Sequence, residues 1–176
     1  LSRERPLVDR RPFRSPHHSA SVAAIVGGGL GPRPGEATLA HRGVLFLDEL
    51  PEFQRPVLEA LRQPLEDGEI AVARVGGRAV FPARFQLVAS MNMCPCGGRG
   101  DAGADCRCSA QRLAAFREKL SRALLDRFDV VVALPRPRAA ELGGAAGEPS
   151  SAVASRVAAA RRRLGGRPLE RTKPAT

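Results

Sequence analysis

Gly43-Val44-Leu45-Phe46-Leu47-Asp48-Glu49-Leu50-Pro51-Glu52 is the stretch on which the fold turns. Residues 43–48 read as a strand, a continuous apolar run of the kind expected for a parallel strand buried on both faces. Two adjacent carboxylates follow at its end, and Pro51-Glu52 opens a helix. An Asp at a strand tip can hold Mg²⁺ against nucleotide phosphates. A Glu beside it can orient or deprotonate an attacking water. An acidic pair is also favoured at a helix N-terminus by the helix dipole, so taken alone the pair leaves both readings open.

The flanking sequence extends the strand into an α/β pattern. Outward on the N-terminal side, a helix is expected at 19–26, a loop at 27–36 and a short helix at 37–41. On the C-terminal side, Phe53, Val57, Leu58, Leu61 and Leu65 recur at helical spacing and predict one helix over 52–66, kinked at Pro56 and Pro64. Residues 69–81 read as a β-hairpin, Ile70–Val75 and Arg78–Phe81 about a Gly76-Gly77 turn. Arg84–Met91 reads as a second buried strand and Asp129–Leu134 as a third. Between them a helix starts at Ser109, with Leu113, Phe116 and Leu120 on one face, and a shorter one holds Leu124 and Leu125. Residues 150–164 form a basic helix. Strands alternating with helices imply a mainly parallel sheet. Ligand sites in such sheets lie at the carboxyl ends of the strands, where Asp48, Glu49 and Asn92 fall.

Three further groups carry chemistry. Asn92 follows an apolar strand and can bind a γ-phosphate or the attacking water, or simply sit in a turn. Arg127, in Leu124-Leu125-Asp126-Arg127-Phe128-Asp129, can reach a neighbouring subunit's nucleotide, or merely favour a helix C-terminus. Cys94-x-Cys96 and Cys106-x-Cys108 flank a Gly-rich loop, and four thiolates in two close pairs suit tetrahedral Zn²⁺. Free thiols, a redox pair or an iron–sulfur cluster are the alternatives. His17 and His18 read as solvated or capping histidines rather than metal ligands. Arg74 and Arg78, near the hairpin tip, can touch a nucleic-acid backbone or lie solvated.

The 176 residues carry a net charge of +10, nearly all of it from Arg, because Lys occurs only at 119 and 173. Such a balance favours polyanionic partners, unless it reflects solvated arginines alone. Residues 130–176 hold nine positive and three negative side chains, more than half of the excess. No window approaches the roughly 18 apolar residues of a membrane span. Leu1-Ser2-Arg3-Glu4-Arg5 has no signal-peptide pattern and no initial Met, and reads as an internal cut. The chain contains no G-x-x-x-x-G-K-[ST] phosphate loop: neither lysine follows glycines, and the Gly-rich stretch 27–35 has no Lys.

Taken in order, Arg11-Pro12-Phe13-Arg14-x-Pro16-His17-His18, Gly27-Gly28-Gly29, Pro32-Arg33-Pro34-Gly35-Glu36, Leu39-Ala40-His41, Gly43–Glu52, Leu58–Glu66, Phe81–Phe85, Asn92 with the cysteine pairs, and Leu124–Asp129 form a series. It resembles the ComM/YifB-type magnesium-chelatase-like AAA+ ATPases, over about residues 11–136. The resemblance implies an AAA+ P-loop NTPase-like core with flanking helices, a β-hairpin insertion and a small Cys-rich zinc loop. It makes Asp48 the Walker B ligand of Mg-ATP, Glu49 the catalytic base, Asn92 sensor 1, and Arg127 an arginine finger acting in trans in a hexameric ring. It implies a cytoplasmic DNA helicase or branch-migration factor linked to natural transformation or recombination. The expected layout is a partial core at 1–136, a linker at 137–150 and the start of a helical lid at 151–176. Met93 stands where the family usually has Pro, and the Walker A loop and most of the lid are missing, so the chain by itself is expected to be inactive. Two rivals stay open: a chelatase- or chaperone-like ATPase that remodels proteins, and a non-catalytic, zinc-stabilised DNA-binding module.

Overall fold

In a computed structural model of the chain, the described residues are 10–29, 31–74, 77–100, 105–134, 137, 143–144 and 147–164. The chain divides into two units, Leu1–Val131 and Val132–Thr176.

The first unit is built on a three-stranded parallel sheet. Strand β1 is Phe13–Arg14, β2 is Val44–Leu47, and β5, the last strand in chain order, is Gln86–Ala89. The spatial order is β1-β2-β5, with Phe13 opposite Val44 and Leu47 opposite Ala89. The strand expected from 43–48 is therefore the central one. Its burial differs from expectation: Leu45 and Leu47 are fully buried, whereas Val44 and Phe46 are only half-buried. The half-covered face has Phe13 stacked on Phe46, centroids 6.1 Å apart, and Phe13 is itself exposed. Strand β5 is shorter than the 84–91 read from sequence and, among the described residues, pairs on one edge only; Val88 on it is exposed.

Gly43 starts β2 where backbones nearly touch. A Cβ there would stand 1.9 Å from the Pro12 carbonyl oxygen, which accepts a hydrogen bond from the Val44 N–H at 2.9 Å. Helix α1, Val22–Val26, is capped by Ser21, whose hydroxyl accepts from the Ala24 N–H. Helix α2 covers Glu36–Leu39. The Arg14 guanidinium ties β1 to it through two hydrogen bonds to Glu36, at 2.5 and 2.7 Å, the paired geometry that gives Arg–carboxylate contacts their specificity.

The helix expected over 52–66 is three pieces: a 3₁₀ turn at Leu50–Glu52, α3 at Arg55–Ala60 and α4 at Arg62–Asp67. Proline explains the division. Pro56 sits in the first turn of α3, where its missing N–H costs nothing. Pro64 cannot donate back to Ala60, so the helix breaks at Leu61 and restarts. The register is kept, and Phe53, Val57, Leu58 and Leu61 still enter the core with Ile25, Leu45, Leu47, Leu50, Ile70, Leu120 and Leu124.

Strands β3, Glu69–Arg74, and β4, Gly77–Pro82, form the expected antiparallel hairpin. Arg74 pairs with Gly77, so the connection is residues 75–76, one residue earlier than Gly76-Gly77; those two lie outside the described residues. Gly77, with φ +134°, is in the strand. Helix α5, Ala110–Glu118, is capped by Ser109, which accepts from the Arg112 N–H. It buries Phe116, with Leu120 just beyond its end also buried. Helix α6, Arg122–Leu125, is capped by Ser121 in the same way.

The strand expected at 129–134 is not formed among the described residues, and Val130, Val131, Val132 and Leu134 are exposed. An apolar run becomes a strand only where a neighbour takes its N–H and C=O groups. In the second unit, helix α7 spans Ser150–Leu164, as read from the sequence, with Arg161, Arg162 and Arg163 in its last turn. Residues 165–176 and most of 135–146 lie outside the described residues. No helix among the described residues is long and apolar enough to cross a membrane.

Candidate functional site

The parallel pairing of β2 and β5 brings two chain segments out of the sheet side by side. Beyond Leu47 and Ala89 the ladder continues: the Ser90 N–H donates to Leu47 O at 3.0 Å, and the Leu50 N–H to Ser90 O at 2.9 Å. Asp48 and Ser90 thus face each other across the strand ends. The Ser90 hydroxyl donates to Asp48 Oδ1, and the Glu49 N–H donates to the same oxygen at 3.1 Å. A carboxylate held through one oxygen presents the other outward, which suits a hard divalent cation that takes oxygen ligands. Ser90 was not singled out from sequence; its signal is a hydroxyl ending the strand next to the acidic one.

Glu49 adopts a left-handed conformation, φ 52° and ψ 49°, as the chain turns from β2 into the 3₁₀ segment. Its side chain is exposed, and His18 Nδ1 lies 3.4 Å from its Oε2. His18, expected to be solvated or capping, instead rests against His17 and the edge of Phe53. His17 alone behaves as a local cap, its Nδ1 within 2.8 Å of Ser19 Oγ.

Glu49 and Asn92 line one cleft of about 410 Å³, together with Glu52, Cys94, Arg112 and Lys119. The sheet supplies the carboxylate and Asn92, and α5 supplies Arg112 and Phe116 opposite them. Lys119 bonds Glu52 at 3.0 Å and closes α5 onto the 3₁₀ turn. Asp48 stands at the same strand end but is not on the cleft wall. Arg127 lies elsewhere, just past α6, where it pairs with Glu66 of α4. Arg78 is exposed on the hairpin, next to Gly77.

The four cysteines converge. Their sulfurs all lie within 4.8 Å of one another. Cys94–Cys96, Cys94–Cys106 and Cys96–Cys106 are 3.4, 3.7 and 3.8 Å apart. Four thiolates around Zn²⁺ at about 2.3 Å make a tetrahedron with edges of about 3.8 Å, so the set fits that ion. Cys94 is buried, and its sulfur accepts the Arg99 N–H at 3.3 Å. The Cys96 thiol is pulled down to about 6 by the Gly98 N–H and then by Cys94 and Cys108, while Cys108 is pushed up to about 11 by Cys96 and by burial. One sulfur that ionises readily beside one that resists is what four unneutralised thiols at this spacing produce.

Over residues 1–142 the chain matches the family described as magnesium chelatase, subunit ChlI. It is 54% identical over 162 residues to an uncharacterized protein of Mycobacterium tuberculosis (strain ATCC 25618 / H37Rv), covering 92% of this chain and 32% of that one. It is 51% identical over 156 residues to the uncharacterized protein YifB of Escherichia coli (strain K12), covering 88% and 30%. It is 56% identical over 126 residues to competence protein ComM of Haemophilus influenzae, covering 72% and 24%. The chain spans about a third or less of the length of these relatives. The chain belongs to the magnesium chelatase (subunit ChlI) family, in its ComM/YifB-type branch.

Proposed function

We propose that this chain carries the water-activating half of an AAA+ ATPase site, within a larger protein that forms a ring and remodels DNA in the cytoplasm.

 The observation that carries it is the pair of strand ends: Asp48 and Glu49 leave the central parallel strand beside Asn92, and Glu49 and Asn92 share a cleft. Family membership and the relative named as a competence protein support the reading.

In this reading Mg-ATP supplies the phosphoryl group and the charge-neutralising cation. Asp48, held through one oxygen by Ser90, would ligate the cation. Glu49 would orient and deprotonate the attacking water, and Asn92 would hold that water or the γ-phosphate. Arg127 would exchange Glu66 for the nucleotide of a neighbouring subunit in a hexameric ring, as an arginine finger. The phosphate-gripping loop would come from elsewhere in the whole protein. Cys94, Cys96, Cys106 and Cys108 would hold one structural Zn²⁺ beside Asn92. Arg78, Arg74 and the hairpin would contact DNA, consistent with the net charge of +10.

The test is the ATPase rate of the full-length protein with and without branched or duplex DNA. The reading predicts stimulation by DNA that weakens as salt rises. A rate indifferent to every DNA, but raised by a protein substrate, would move the reading to a chelatase- or chaperone-like remodeller. No ATPase at all, with DNA binding intact, would leave a zinc-stabilised binding module.

A further inference from the structure

Glu49 needs something to hold it. Its backbone is left-handed, a conformation that is strained for a non-glycine residue. Its side chain is 58% exposed. A long carboxylate in that position samples several rotamers unless a neighbour selects one. Among the described residues, His18 is the one side chain within charge-pair distance of that carboxylate, with Nδ1 3.4 Å from Oε2.

His18 is itself fixed. The His17 ring lies 4.1 Å from it, and the edge of Phe53 meets it at 6.4 Å. Phe53 is buried in the core, so the imidazole is referenced to the same packing that holds β2. The turn beneath it is closed by the Ala20 N–H donating to His17 O at 2.9 Å, directly before Ser21 caps α1. An exposed, strained carboxylate on the wall of the cleft it shares with Asn92 therefore meets a braced imidazole.

We propose that His18 is a positioning residue for Glu49, holding its carboxylate in the orientation from which it acts on water. The inference rests on the reading of Glu49 as the base. Nothing is transferred between the two side chains; the imidazole restricts where the carboxylate points.

The experiment uses the full-length protein with Mg-ATP and compares His18→Ala, His18→Asn and Glu49→Gln. Steady-state hydrolysis, nucleotide affinity and melting temperature are measured for each. Expected for His18→Ala is a fall in kcat of about tenfold to a hundredfold, with KM and melting temperature close to the parent. His18→Asn, whose amide nitrogen reaches the place of Nδ1, recovers most of the rate. His18→Ala added to Glu49→Gln costs nothing further, because both changes remove one function. A His18→Ala rate equal to or above the parent, beside an inactive Glu49→Gln, overturns the positioning role alone. Loss of nucleotide affinity and melting temperature together with kcat, or no recovery by Asn, makes His18 structural and also overturns it. A Glu49→Gln protein that hydrolyses ATP normally overturns the reading of Glu49 and this inference with it.

Discussion

Glu49 and Arg42 are the two non-glycine residues with positive φ among those described, at 52° and 60°. They flank β2 at its two ends, so the central strand enters and leaves through strained turns. Leu45 and Leu47 lie between them, fully buried on one face of the strand. Their packing pays for that strain. Leu47→Ala is expected to destabilise the domain by about 3 kcal/mol, the lost transfer energy plus a cavity, measured by guanidinium unfolding. A loss below about 1 kcal/mol would show that Leu47 does not anchor the site. At this scale the sequence shows the acidic pair and Asn92 because a polar residue after an apolar run is conspicuous. Ser90 and His18 are less visible. Ser90 acquires its meaning only when β5 pairs with β2, and His18 only when a loop 31 positions away folds against Glu49.

Elements were legible where a local signal sets them and less so where a neighbour does. Ser21, Ser109 and Ser121 cap their helices through their own hydroxyls, and α5 and α7 lie close to the positions their periodicity indicates. The division of α3 from α4 follows from Pro64, which the sequence marks as a kink. Residues 129–134 show the opposite case. Their apolar run has the composition of a strand, but pairing is a property of two segments, and composition reports one. The cysteine loop is an element defined by its ligands. We predict about one Zn²⁺ per chain, by metal analysis of the protein purified without chelator. Cys94→Ser is expected to abolish it and, because metal binding is folding free energy, to lower the melting temperature, as is chelation of the parent. Metal is expected to be released as pH falls, since each thiolate taken by a proton is a ligand lost. Four thiols that titrate freely in the native protein, with no metal, would defeat the assignment.

The whole molecule is the scale at which the account extends furthest beyond the chain. The family is established over residues 1–142, and the relatives are about three times as long. The fold was readable because a parallel strand ending in two carboxylates constrains what surrounds it. The proposed ring, DNA and neighbouring nucleotide are not readable from packing, because each would involve surfaces that meet other molecules. The Arg-rich composition, with Arg78 exposed on the hairpin, points toward a polyanion.

The most direct test of the central claim is nucleotide binding and hydrolysis by full-length protein carrying Glu49→Gln. The amide keeps the shape of the side chain and removes its capacity to take a proton. The account predicts Mg-ATP binding within a few-fold of the parent and hydrolysis reduced by about a hundredfold or more. Hydrolysis at the parent rate would contradict it, and the acidic end of Gly43–Glu52 would then be a helix start and nothing more.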